Sequence, residues 1–567
     1  MKKSRLLKRY GVGAIVVGIA LTLAVMGTGT AAIGAGRASA RSSSIGTTPL
    51  TIVGSPDGPF TDNFNPFFTS SVTAEQGMVA NIYEPLMQYD LVKSGVIYPW
   101  LAKAWAWSDS GRKLTLTIRQ GIKWSDGTPL SASDVAYTFQ LVKKYPALNT
   151  QGVVFSGAAA TSSTTVVISF STPGYAQQFA ISQVYIVPQH IWSKIANPTT
   201  YTNPSPVGSG PFLLKSYSSQ EVALTRNQNY WQAGEPKVPE LLYPAYDSNT
   251  SADLALEDGQ IDWASLYIED YQKLFLGRSS YNGLYNAPVG DWNICPNLTV
   301  SPLNNVVVRR ALDEAVNRSA IIKLGESGYY DLPATSATGL ITPNWTGNIA
   351  PAYKNDTLRY APSAAKSLLE SIGFKMGSGG ILNMPNGSPF TLSLVLPAPF
   401  TDWVTDANLI KEEMAVAGIG INIQTVSFAE YSNDEATGSY GLTFCGEFQS
   451  YSPEPLLSYL LDDSLTAPVG KAAVGDPERW RSPATESAIR SFSSSLSASV
   501  QSSALDELEG QMVNDVPVIP LMFQAGGGEY TSKAYVGWPS PSNPYELDSP
   551  AGKPWDEVVI LHLSPRS

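Results

Sequence analysis

The chain is poor in the side chains from which metal centres and nucleophilic sites are built. Its 567 residues include two histidines and two cysteines. His190 and His562 are far apart, and neither has a second histidine or a cysteine beside it in the sequence. Both read as ordinary structural or surface histidines, with no metal site and no Ser/His or Cys/His triad to serve. No Gly-x-Ser-x-Gly elbow is present. Pro206-Val207-Gly208-Ser209-Gly210-Pro211-Phe212 is glycine-rich, but no Gly-Lys-Ser/Thr follows it, so it is not a phosphate-cradling loop. Basic residues number 37 against 48 acidic ones, a formal net charge of −11, which excludes a nucleic-acid partner. No internal repeat and no heptad pattern appears. Carboxylates are plentiful, so the surviving catalytic alternative is a secreted hydrolase with a carboxylate pair.

Charge is also missing from Gly11 to Ala35. Lys2, Lys3, Arg5, Lys8 and Arg9 precede this run, and Ala38-Ser39-Ala40 follows it. The pattern predicts a secretory signal peptide over residues 1–40. The alternative is an uncleaved anchor, because an apolar run of about 25 residues could span a bilayer. No cysteine lies near Ala40, so a lipid anchor is not expected. Cleavage would remove six basic residues and no acid, taking the net charge from −11 to −17. In an exported protein that acidity favours solubility. Residues 41–48 read as a flexible segment. Export permits a disulfide between Cys295 and Cys445, although residue counting favours two separate buried thiols.

What is present is a large folded body, 43% hydrophobic and 15% charged, long enough for two or three domains. Leu50 to Val53 reads as a first strand. Leu114, Leu116 and Ile118 alternate with polar residues as in a strand with one buried face. Turn chemistry flanks it at Asp109-Ser110-Gly111 and Asp126-Gly127-Thr128-Pro129. Ser131 and Asp134 predict a capping box opening a helix whose face carries Val135, Phe139 and Val142. Val308 to Ile322 shows a single apolar helical face. Pro362 opens a helix that Gly373 can end. Residues 391–396, 407–417 and 421–426 read strand, helix, strand, the order of a parallel crossover. Leu505, Leu508, Met512 and Val513 share another helical face. Ile560-Leu561-His562-Leu563 reads as a closing strand.

One stretch carries most of the information. It contains Tyr83-Glu84-Pro85-Leu86, Pro99-Trp100-Leu101-Ala102, Trp107-Ser108-Asp109-Ser110-Gly111, Trp124-Ser125-Asp126-Gly127-Thr128-Pro129-Leu130 and Ser133-Asp134-Val135-Ala136-Tyr137. It resembles the signature block of the extracellular solute-binding proteins of the oligopeptide- and dipeptide-binding class, family 5 of the binding proteins of ABC importers. Gly208-Ser209-Gly210-Pro211-Phe212, Asn229-Tyr230-Trp231, Val308-Arg309-Arg310-Ala311-Leu312 and Val516-Pro517-Val518-Ile519-Pro520-Leu521 continue the resemblance.

The resemblance implies a two-lobed α/β fold of the periplasmic-binding-protein kind (type II, cluster C) with an additional domain. It implies a lobe I from residues 49–80, 207–290 and 529–567, an additional domain II over 81–206, and a lobe III over 291–528. Gly208 and Gly210 would form a crossover. Both cysteines would fall on strands of lobe III, where pairing is possible. The function implied is capture of a peptide-like solute for an ABC-type permease by a monomer, with no cofactor, no metal and no catalysis.

The resemblance sets an aspartate that pairs with a peptide ammonium where this chain has Ser450, and an aromatic residue where it has Glu447. Pro397 to Trp403 contains none of the arginines of dipeptide binders. With 13 Trp and 28 Tyr in the chain, an oligosaccharide of the cello- or xylo- type is the alternative solute. Expected ligand contacts are Glu447, Phe448, Gln449, Ser450 and Tyr451, with Phe428 as an aromatic wall. Trp292 and Asn297 would flank the strand entering lobe III, and Asp57, in the loop after the first strand, would face the ligand from the opposite lobe.

Overall fold

The computed structural model describes residues 44–567 apart from 69–70, 94–95, 269, 327–331, 343, 399 and 447–449. The expected leader, residues 1–40, lies outside the described residues, as do residues 41–43 of the segment 41–48. Among the described residues no helix is long and apolar enough to cross a membrane.

The signature block folds as its letters dictate. Strands Ala102–Ser108 and Lys113–Ile118 form a hairpin. Asp109, Ser110 and Gly111 turn the chain with φ of 54°, 51° and 81°, values that short polar residues and glycine accept. Leu114, Leu116 and Ile118 are fully buried on the inner face. Strands Gly157–Ala160 and Thr165–Ser169 complete a four-stranded antiparallel sheet. Helix Ala132–Lys144 covers it, opened by the Ser131/Asp134 capping box, with the Ser131 amide donating to Asp134 Oδ2 at 2.8 Å. Such a cap contributes about 1 kcal/mol. This sheet and helix share one apolar core.

A second, ten-stranded sheet runs through the rest of the molecule. Its two central strands are long, Asn282–Pro296 and Ile519–Thr531, and antiparallel. At about 3.3 Å per residue the first spans roughly 50 Å, the length of two ordinary strands or more. Beside Ile519–Thr531 lie Trp263–Ala264 and then the parallel neighbours Leu50–Val53 and Glu240–Pro244. Beside Asn282–Pro296 lie Leu442–Gly446, then Thr391–Pro397 and Gly420–Val426. One end of the central pair is therefore flanked by Leu50–Val53 and Glu240–Pro244 and the other by Thr391–Pro397 and Gly420–Val426. The ladder between them is irregular at Pro288/Gly290 and Trp292/Asn293. Next to the first irregularity, Gly526-Gly527-Gly528 pairs with Ala287, Asn286 and Tyr285. A Cβ on Gly527 would fall 2.2 Å from the Tyr285 carbonyl, and one on Gly528 2.3 Å from that of Ala264. Only glycine allows that approach.

Gly208 and Gly210 sit where the chain leaves the four-stranded unit for strand Phe212–Tyr217. The Gly210 amide donates to the Ile82 carbonyl at 2.9 Å, and the Ser125 amide to that of Gly208 at 2.9 Å. Cβ atoms here would meet the Ile82 and Asn81 carbonyls at 1.9 and 2.5 Å. These glycines serve close backbone contact.

In lobe III, Thr391–Pro397 and Gly420–Val426 are parallel and joined by helix Thr401–Val416, the crossover expected from the sequence. Three local readings are corrected. The helical face from Val308 to Ile322 is two helices, Val306–Glu314 and Arg318–Leu324; Asn317 caps the second through its side-chain oxygen and the Ala320 amide, 3.2 Å apart. His562 ends a helix, Trp555–His562, and does not lie in a strand. That helix is buried on nearly all sides, so its sequence lacks the polar face that marks helices. The last long strand starts at Ile519 because Val516, with φ of 47°, terminates helix Ala498–Asp515.

Cys295 and Cys445 are bonded to each other, correcting the expectation of separate thiols. Their strands are hydrogen-bonded neighbours, with Asn293 opposite Cys445 and Cys295 opposite Thr443. This diagonal placement leaves the Cα atoms 5.9 Å apart, a normal disulfide span.

Candidate ligand-binding site

The segment after strand Leu442–Gly446 emerges where lobe III meets the central strands. Gly446 has φ of 131°, and a Cβ there would lie 2.0 Å from the Asp291 carbonyl, so this exit requires glycine. Gly446 pairs with Trp292, and the Ser450 amide donates to the Val289 carbonyl at 2.8 Å. The segment is thus tied to the same strand on both sides of Asp291. Glu447, Phe448 and Gln449 lie outside the described residues.

Ser450 is buried, and its hydroxyl donates to the Ser452 carbonyl at 2.7 Å. Tyr451 packs against Phe179 and Tyr89. Its ring stacks on Phe179 with centroids 4.3 Å apart and planes at 23°, and it lies 4.7 Å from Tyr89. Phe179 comes from helix Gln177–Ser182 and Tyr89 ends strand Met87–Tyr89. Burial pushes the hydroxyls of both tyrosines upward, so they are neutral donors.

Trp292 is half-buried and meets Trp403 edge-on at 4.6 Å. Trp403 also packs on Phe400, Tyr431 and Phe444. These rings form an aromatic floor at the ends of the lobe III strands, the place where ligands bind in open α/β sheets. Phe428 begins helix Phe428–Thr437 at the end of strand Gly420–Val426. Asn297 is fully buried. Its amide nitrogen donates to the Gly438 and Tyr440 carbonyls at 2.9 and 3.2 Å, and its oxygen accepts from the Thr299 amide at 3.1 Å. Asp57 is exposed in the loop after strand Leu50–Val53, where its carboxylate accepts from Gln76 Nε2 at 2.9 Å.

Sequence reasoning missed Asp291, which Gly446 and Ser450 bracket. It is buried, and one carboxyl oxygen accepts from Asn293 Nδ2 at 2.7 Å. Among the described residues the other oxygen has no hydrogen-bond partner. Burial raises this carboxyl to about 7, more than the Asn293 bond lowers it. The available signal was an acid placed in an otherwise strand-like run, Val289-Gly290-Asp291-Trp292-Asn293.

Among the described residues two groups of side chains come close enough to share a cation, Cys295/Cys445/Glu478 and Asp462/Asp463/Glu486. The first has no thiolate, because its sulfurs are bonded together. The second faces Arg481, 3.8 Å from Asp463, and Arg490, 3.3 Å from Glu486.

This architecture matches known proteins. The family of bacterial extracellular solute-binding proteins, family 5 (middle region), matches residues 96–466. The nickel-binding periplasmic protein of Escherichia coli (strain K12) is 27% identical over 395 residues, covering 66% of this chain and 72% of that protein. The glutathione-binding protein GsiB of Salmonella paratyphi A is 27% identical over 318 residues, 55% of this chain and 59% of that protein. A periplasmic oligopeptide-binding protein of an oligopeptide ABC transporter from Thermotoga maritima superposes with a TM-score of 0.82 at 24% identity, covering 91% of this chain and 99% of that one. A structure of the Thermotoga maritima protein bound to mannohexaose superposes with a TM-score of 0.74. The fold is therefore the two-lobed periplasmic-binding-protein fold, and with the family match spanning well over half of its length, the chain belongs to the bacterial extracellular solute-binding proteins of family 5.

Proposed function

We propose that this protein captures a peptide-like solute between its two lobes and delivers it unchanged to an ABC-type permease. Family 5 proteins are transport binding proteins that act outside the cytoplasm. The observation that carries the reading is the central strand pair, shared by both lobes and irregular where it passes between them. Such a pair can absorb the backbone change of closure. Solute then shifts the population toward the closed form by the contacts it gains there. Relatives named for glutathione and oligopeptides support a peptide-like cargo. Glu447, Phe448, Gln449, Ser450, Tyr451, Phe428, Trp292 and Asp57 are the proposed contacts, while Asn297 supports the site through its bonds to the Gly438 and Tyr440 carbonyls. Export by a cleaved leader and a monomeric state complete the proposal, supported by Ala38-Ser39-Ala40 and the uncharged run before it.

An oligosaccharide is the second reading. The mannohexaose-bound relative favours it. So does Ser450, which supplies no carboxylate for a peptide ammonium and whose hydroxyl is committed to Ser452. The test is a thermal-shift screen of di- to hexapeptides against cello-, xylo- and manno-oligosaccharides, with product analysis of every hit. Solute at one hundred times its Kd stabilises the folded state by about 2.7 kcal/mol. Peptide hits without products support the first reading and sugar hits without products the second. Cleavage of the cargo would overturn both.

A further inference from the structure

Burial of charge in this protein is one-sided. Among the described residues fifteen acidic side chains are buried, against three arginines and no lysine. An ionised carboxylate held away from water needs a cation or several donors. Two pairs of buried acids, one in each half of the molecule, have neither in sufficient number.

The first pair joins Glu84, in the signature block, to Glu557, in the C-terminal helix. The Tyr230 hydroxyl lies 2.9 Å from Glu84 Oε1 and 3.2 Å from Glu557 Oε1, and its single proton serves one of them at a time. Trp231 Nε1 donates to Glu84 at 2.7 Å and Gln88 Nε2 to Glu557 at 2.9 Å. Glu84 Oε2 has no partner among the described residues. The other groups facing the pair are Ser209, Asp556 and Tyr185. Of the cations, Lys553 acts on Asp556, and Arg119 lies over the Trp231 ring, 4.7 Å from its centroid.

The second pair joins Glu326, after helix Arg318–Leu324, to Asp406 on helix Thr401–Val416. Both are buried. Neither Asp406 oxygen has a donor among the described residues, nor has Glu326 Oε2. The groups facing them are again acids, Asp402 and Glu413. Arg318 acts on Glu413, but its guanidinium is committed to Asp313 and the Pro520 carbonyl. A proton on one carboxyl supplies the donor that the other lacks.

We propose that these are proton-sharing carboxyl pairs, one bracing each half of the protein, and that the fold is built to be most stable in an acidic medium. The electrostatics agree. Burial raises Glu84, Glu557, Glu326 and Asp406 above the ordinary carboxyl values. Carboxyls raised in the folded state stabilise it below their ordinary values, and that stability is lost as pH rises through the folded ones. A native chain holding two more protons than the unfolded chain loses about a hundredfold in its folded-to-unfolded ratio per pH unit.

The test is unfolding of the full chain from about pH 5 to about pH 8, with infrared detection of protonated carboxyl groups in the native protein. The expected result is a midpoint that falls with rising pH, and a protonated-carboxyl band at neutral pH that weakens in Glu84→Gln and in Glu326→Gln. The amides keep the hydrogen bond without the titration, so whichever variant folds should also show a flatter pH dependence. A midpoint that is flat or rises over this range, or a neutral-pH spectrum without the band, overturns the proposal.

Discussion

Tyr451 of lobe III lies ring on ring with Phe179 of the additional domain, centroids 4.3 Å apart. The two residues are 272 positions apart in sequence. Stacked aromatic pairs contribute about 0.5–1.5 kcal/mol beyond the area they bury. Tyr451→Ala is expected to weaken solute binding about tenfold, or about 1.4 kcal/mol, by removing a contact that favours the closed form. Calorimetric titration with the identified solute checks this. Unchanged affinity would remove Tyr451 from the site.

The Cys295–Cys445 bond closes a loop of 150 residues. In the chain-entropy account a loop of that size contributes up to about 5 kcal/mol. The Cys295→Ser/Cys445→Ser double variant should unfold at markedly lower denaturant concentration than the oxidised protein. Reductant should shift the parent protein in the same direction and leave the variant unmoved.

Gly527 has the Tyr285 carbonyl where its Cβ would be. Gly527→Ala should separate the central strands locally and destabilise the fold by about 2 kcal/mol or more, within the range for overpacked sites. Denaturant melts measure the loss. Gly387 meets nothing within 4 Å but has φ of 89°, so Gly387→Ala is a control for backbone strain alone, expected to cost about 1 kcal/mol.

Asp291 is raised to about 7 by burial. Its native state therefore favours the protonated form, and its contribution declines as pH rises from the ordinary carboxylate range through about 7. Asp291→Asn keeps the shape and removes the titration. It should leave the unfolding midpoint near pH 5 about unchanged and raise it near pH 8. Equal midpoints for variant and parent at both pH values would show that Asp291 is ionised at no cost in the folded protein.

Local chemistry was legible wherever one face of an element is wet. The alternation at Leu114, Leu116 and Ile118, the Ser131/Asp134 cap and the crossover from Thr391 to Val426 all have a polar side that sets the period. The helix ending at His562 has no such side, and its β-branched Val558, Val559 and Ile560 mimic a strand. The break at Ala315 to Asn317 was hidden because apolar residues continue through it. At the candidate site, Tyr451, Trp292 and Phe428 could be named from the resemblance, whereas the partners Phe179 and Tyr89 depend on contacts that no local pattern encodes. Asp291 was missed for the same reason: what makes it unusual is its burial between two backbone ties, Gly446 and Ser450.

The central strands also fix how the chain is assembled. Everything from Pro288 to Ala525 leaves along one strand and comes back along its antiparallel neighbour, with those two residues paired. The stretch between them is in effect a graft inserted into a hairpin. Joining the two cut ends by a short turn would excise it while leaving every strand partner of the remaining half in place, a miniature scaffold that keeps half the jaw.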